Sequence, residues 1–217
     1  MREKLLGMLQ AILTALVILA GAIALPILFR PFFYWHITPL DICARVGLTF
    51  EQVKTAYNEM LDFCIGITDS FSVGVLPFSQ SGAEHFADVR KLFLLDLGVL
   101  LGAALLLTGI LLMKRKKTLW LAGHTPGFWS AIGLGVTFVL VGGLAALDFD
   151  RAFVVFHKLF FPGKDNWIFD GRFDPVINML PAEFFRNCAL LIFGAILLSC
   201  GLMIIFDIRK RKKTHCL

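Results

Sequence analysis

Four long apolar runs constrain this chain more than any other feature: roughly Leu5–Phe29, Leu92–Met113, Phe128–Leu147 and Ala189–Phe206. Each reaches the ~17–25 residues that a helix needs to cross a bilayer. In hydrocarbon a backbone must satisfy its own hydrogen bonds, so runs of this length are read as helices and not as buried strands. The expected fold is an all-α integral membrane protein with four transmembrane helices. A hydrophobic content of 58% over 217 residues is too high for an ordinary soluble domain. The first run follows a basic start and contains the small triplet Ala20-Gly21-Ala22, as a signal peptide would. Its apolar stretch continues well past that triplet, so it reads as a retained anchor.

Charge sets the expected orientation. Arg2 and Lys4, the run Lys114-Arg115-Lys116-Lys117, and Arg209-Lys210-Arg211-Lys212-Lys213 place 11 Lys/Arg on one side, balanced only by Glu3 and Asp207. The positive-inside rule puts these segments, and with them both termini, in the cytoplasm. They then serve as topology signals and anionic-lipid contacts, and nucleic acid is not an expected partner. The two long connections, about Arg30–Lys91 and Asp148–Cys188, fall outside with 10 Lys/Arg, 13 Asp/Glu and three of the five His. Together they are expected to form an extracytoplasmic cap on a single membrane domain covering 1–217. Any chemistry is expected on that face.

Local signals organise the cap. Thr49-Phe50-Glu51-Gln52 is a capping box, and it opens an amphipathic helix with Phe50, Val53, Tyr57, Met60, Leu61 and Cys64 on one side. Phe71–Phe78 is broken by Gly74 and Pro77 and reads as loop. Ser81-x-x-Glu84 looks like a second capping box, starting a helix that continues into the second span. On that helix His85, Asp88, Leu92 and Asp96 share a face, with His85 about 10 Å above Leu92 at 1.5 Å per residue. Asp96 is either functional or a snorkelling carboxylate. Asp174-Pro175 reads as the start of a short helix, and Pro181 with Glu183 opens the last span.

Several residues carry no expected role. His36 lies in the aromatic stretch Arg30–His36 that suits a membrane interface, and His124 and His215 lie with the basic segments. Cys43 and Cys64 could pair, but one possible pair is not a disulfide framework. The glycines of the third span, Gly133, Gly135, Gly142 and Gly143, suit close helix packing.

No nucleophile elbow, phosphate-binding glycine loop or metal-binding histidine motif is present in the sequence. Two cap histidines among acids and aromatics remain, His85 and His157, and imidazole works as base or acid near neutral pH. A lipid-directed enzyme and a non-enzymatic scaffold or lipid-binding partner both fit these residues.

Three segments sharpen the choice: Ser81-x-x-Glu84-His85-x-x-Asp88-Val89 before span two, Phe156-His157-x-x-Phe160-Phe161 after span three, and Asp174-Pro175-x-Ile177-x-x-Leu180-Pro181-x-Glu183-Phe184-Phe185 before span four. Their order and topological placement resemble the bacterial lipoprotein intramolecular transacylases over essentially the whole chain. The resemblance implies a diacylglyceryl lipoprotein substrate in the cell membrane. The sn-2 acyl chain would move to the α-amine of the N-terminal cysteine, giving the N-acyl, S-monoacylglyceryl lyso form without metal or organic cofactor. It also implies that His85 and His157 are catalytic. Glu84, Asp88 and Asp174 are candidates for support; Asp88 or Glu84 would orient His85 while His157 takes the amine proton. Phe153, Phe156, Phe160, Trp167, Phe169, Phe184 and Phe185 are candidates for confining acyl chains. Oligomeric state is left open.

Overall fold

The computed structural model describes residues 2–113 and 118–215. The basic run Lys114–Lys117 and Cys216 lie outside the described residues, as does the side chain of His215. Among the described residues there are nine helices and no strand. They are α1 (Arg2–Leu28), α2 (Pro31–Ile37), α3 (Ile42–Val46), α4 (Phe50–Cys64), α5 (Gln80–Met113), α6 (Pro126–Leu147), α7 (Phe149–Phe160), α8 (Val176–Met179) and α9 (Ala182–His215). The fold is all-α, and α1, α5, α6 and α9 are long and apolar enough to cross a membrane. Helices α5 and α9 extend well beyond their apolar runs. The first three turns of α5, Gln80 to Lys91, are polar and carry His85 and Asp88.

The chain divides into two compact units. One consists of α1 to Ile23, Asp96–Leu144, and α9 from Leu191. Small residues let its helices approach, with Ala22, Ala131, Ile196 and Cys200 in one buried cluster and Leu13, Ala103 and Ile110 in another. The fully buried carboxylate of Asp207 accepts from the Thr125 backbone N–H at 2.6 Å and meets His124 Nδ1 at 2.8 Å. This ties the turn at Leu121–His124 to α9. Asp207 was expected only to offset basic charge, so this structural use is new.

The second unit comprises Ala24–Leu95 and Ala145–Leu190. Its core is Phe33, Ile37, Ile42, Val53, Tyr57, Met60, Val73, Val176, Met179 and Phe184, all buried. Phe33 stacks on Tyr57 with ring centroids 3.7 Å apart, and Phe184 meets Phe33 edge-on at 5.2 Å. The capping box at Thr49 is present, with both reciprocal Thr49–Gln52 bonds made. Thr49→Ala is expected to lower stability by about 1 kcal/mol, read as a thermal shift of the purified protein in detergent. Cys43 and Cys64 are both free thiols.

Two expected helix starts are corrected. Helix α5 begins at Gln80, so its cap is Ser79 and not Ser81: Ser79 Oγ accepts from the Gly82 N–H at 3.0 Å. Glu84 instead accepts from the Gln80 side chain at 3.0 Å. Helix α8 has Pro175 at its cap position, and Asp174 does not cap it. The Asp174 carboxylate is taken by Ser79, whose N–H and hydroxyl both donate to it at 2.7 Å. A backbone N–H and a hydroxyl on one carboxylate outcompete a local turn, since charge-assisted bonds are the stronger kind.

Candidate active site

His85 sits on the second turn of α5, at the end that Ser79 and Asp174 anchor. His157 sits on α7, a helix that begins where Asp148 accepts from the Arg151 N–H at 2.9 Å. Both rings are buried, at 5% and 8% exposure, and they face each other with centroids 6.0 Å apart. That spacing leaves room for one reacting atom within hydrogen-bond reach of each.

Each ring is held differently. His157 Nδ1 lies 2.8 Å from the carbonyl oxygen of Phe153, one turn earlier. A carbonyl only accepts, so the proton is on Nδ1 and Nε2 carries the lone pair. Burial pushes the His157 imidazole below its ordinary pKa, partly opposed by the Phe153 carbonyl bond. Trp167 stacks on its other face at 4.7 Å. His85 is walled by Phe161 at 5.0 Å and Phe169 at 5.3 Å. Phe161 also reaches His157, at 5.8 Å.

The carboxylates have separate duties. Asp88, one turn after His85, is buried, and its oxygens are met by Lys91 at 3.0 Å, by Lys164, and by Asn166 Nδ2 at 3.3 Å. It thereby straps the loop Lys164–Asn166 onto α5. Glu84, Asp88, Lys91, Lys164, Asp165 and Asn166 line an open pocket of about 420 Å³ beside the histidine. Gly82 is tightly enclosed: a Cβ there would clash with Asp174 Oδ1 and lie 3.2 Å from the Phe169 ring.

The aromatic candidates separate into groups. Phe153 (4.2 Å), Phe156 (5.4 Å) and Trp167 contact His157, while Phe169 contacts His85. Phe160 meets Phe156 at 4.7 Å and is half exposed. Phe185 lies behind Phe153 at 5.4 Å, and Phe184 belongs to the core with Phe33 and Tyr57. Ser79, Gly82, Phe161, Lys164 and Asn166 were not singled out from the sequence. Only Phe161 carried a signal, as a member of the motif around His157.

Fold and side chains define a class: a helical, multi-pass integral membrane protein with two facing, buried histidines in an aromatic enclosure. Residues 8–185 match the family of the lipoprotein intramolecular transacylase Lit, and the chain belongs to that family. It is similar to the membrane-integral lipoprotein intramolecular transacylase Lit from Bacillus cereus, solved in meso, with 25% identity, TM-score 0.87, and coverage of 99% of this chain and 97% of that one. It is likewise similar to two in meso structures of the Bacillus cereus protein with substitutions. The H85R form has 25% identity, TM-score 0.80, and coverage of 99% and 93%. The H85A form has 25% identity, TM-score 0.78, and coverage of 98% and 96%. No curated protein sequence gives a significant match.

Proposed function

We propose that this protein moves the sn-2 acyl chain of a diacylglyceryl lipoprotein to the α-amine of its N-terminal cysteine, with His85 and His157 relaying the proton. The observation that carries this reading is the pair of buried imidazoles 6.0 Å apart in a chain of the transacylase family. The amine nitrogen attacks the ester carbonyl, a C–N bond forms, and the acyl C–O bond breaks. One proton must leave nitrogen and one must arrive on the glyceryl oxygen. His157 Nε2, with its lone pair free, takes the amine proton; it passes to His85 and from there to the departing alkoxide, which returns both rings to neutral. An α-amine has a pKa of about 7.7–8.0, so near neutrality a histidine base is well matched to it.

Donor ester and acceptor amine belong to one molecule, so the protein has mainly to fold its substrate. Orientation of this kind supplies up to about 7–11 kcal/mol. Phe153, Phe161, Trp167 and Phe169 exclude water around the rings, and the exposed Phe156 and Phe160 suit acyl chains. The Lys/Arg distribution supports cytoplasmic termini and a site on the extracytoplasmic face.

Purified protein in detergent, given a synthetic diacylglyceryl lipopeptide alone, is expected to yield the N-acyl S-monoacylglyceryl product, identified by tandem mass spectrometry. Absence of conversion, together with stable capture of another membrane protein, would favour the scaffold reading instead.

A further inference from the structure

Two fully buried polar atoms of the site stand out. His85 Nδ1 and Asn166 Oδ1 are both buried, and among the described residues neither has a hydrogen-bond partner. A buried polar atom left unpaired is destabilising. The two are also complementary: an imidazole can present an N–H, and an amide oxygen only accepts. Asn166 also reaches the stretch of α5 that carries His85, since its amide bonds Asp88 one turn further along the helix.

The other end of the amide decides its orientation. Asn166 Nδ2 donates to Asp88 Oδ2 at 3.3 Å, and that carboxylate is gripped on both oxygens by Lys91 and Lys164. Flipping the amide would press its oxygen against a carboxylate, which has no proton to give. The oxygen is therefore the end left for His85. His157 is anchored in the same manner, through Nδ1 to an oxygen acceptor, the Phe153 carbonyl.

We propose that Asn166 is the positioning residue of His85, with His85 Nδ1–H donating to Asn166 Oδ1 while Asp88 holds the amide from behind. This rests on the reading of His85 as a proton-transfer group. The bond fixes the ring's tautomer and leaves the Nε2 lone pair toward the substrate, the role an orienting side chain plays behind any catalytic imidazole. Burial and the facing His157 keep the resting ring uncharged, with its pKa down at about 4, against the Asn166 bond and the Asp88 charge, which both raise it. Asp88 therefore acts on His85 through Asn166 as well as by its own charge.

The test is the ¹⁵N spectrum of the full-length, histidine-labelled protein in detergent micelles, with His85 assigned by its loss in His85→Gln. A pyrrole-type Nδ1 and a pyridine-type Nε2 are expected for His85. Asn166→Leu is expected to shift the tautomer toward Nε2–H and to lower kcat by up to about 100-fold, with KM little changed. Asn166→Asp, which keeps an oxygen acceptor, is expected to retain the Nδ1–H tautomer. A wild-type His85 protonated on Nε2 overturns the proposal even if Asn166→Leu does not fold, and so does a tautomer indifferent to that substitution. Full activity in His85→Gln would remove His85 from catalysis while leaving the tautomer result intact, so the two failures are distinguishable.

Discussion

His157→Gln is expected to reduce formation of the lyso product by about 10²–10⁴-fold, the range that a positioned acid–base group contributes. Glutamine keeps a polar side chain of similar reach and can still donate to the Phe153 carbonyl, so the aromatic enclosure has no reason to collapse. What it lacks is a base. The wild-type pH profile provides a second check. Burial disfavours the imidazolium, so His157 titrates below the ordinary histidine value of about 6.5. The ring is then neutral at pH 7, and its own acid limb in kcat is expected only below pH 6.5, separate from the limb that the substrate α-amine adds at about pH 7.7–8.0. The same shift has a stability consequence. An unfolded chain takes up a proton on this histidine at a higher pH than the folded one, so the contribution is present above about pH 6.5 and is lost on acidification. Melting curves across the same pH range separate loss of fold from loss of the base. Absence of any limb below pH 6.5 beside that of the amine, or a His157→Gln variant as fast as wild type, would give the base role to another group.

Gly82→Ala is expected to be nearly as damaging, although it touches neither histidine. The added methyl would clash with Asp174 Oδ1 and lie 3.0 Å from its Cγ. That carboxylate cannot swing aside cheaply, because it is buried and holds both the N–H and the hydroxyl of Ser79. Bonds of this charge-assisted kind are worth about 1.5–3 kcal/mol each. Either the carboxylate leaves them or the start of α5 shifts, and His85 is three residues further along. A displacement of 1 Å at a reacting group can cost about 100-fold in rate, so a comparable fall in turnover is expected, with a lowered melting temperature. Asp174→Asn, which preserves shape and one acceptor, is expected to be milder on both measures. Unchanged turnover and melting in Gly82→Ala would show that this junction is not tight.

What could be read from the sequence follows from range. Apolar run length is a local property, and it located all four long helices; the Thr49 cap is local too, with its partner three residues away. Ser81 failed as a cap because the choice among Ser79, Ser81 and the later Asp174 is settled by a bond across 95 residues. Phe184 and Phe185 show the same limit at finer scale. Adjacent helical residues point about 100° apart, and here one enters the core beside Tyr57 while the other backs Phe153. Asn166 had no local signature, because its importance comes from Asp88, 78 residues earlier.

That spacing also bears on when the protein becomes able to act. As the chain emerges from the ribosome, His85 appears with the first half, but the loop that straps onto Asp88 and the carboxylate that seats Ser79 are synthesised only after span three. Closing so long a loop costs little more than closing a shorter one, yet it cannot begin until its far end exists. The proposed machinery therefore stays unassembled until Asp174 has been translated and delivered to the same side as α5. A proposed site assembled in this order cannot act before most of the chain has been made.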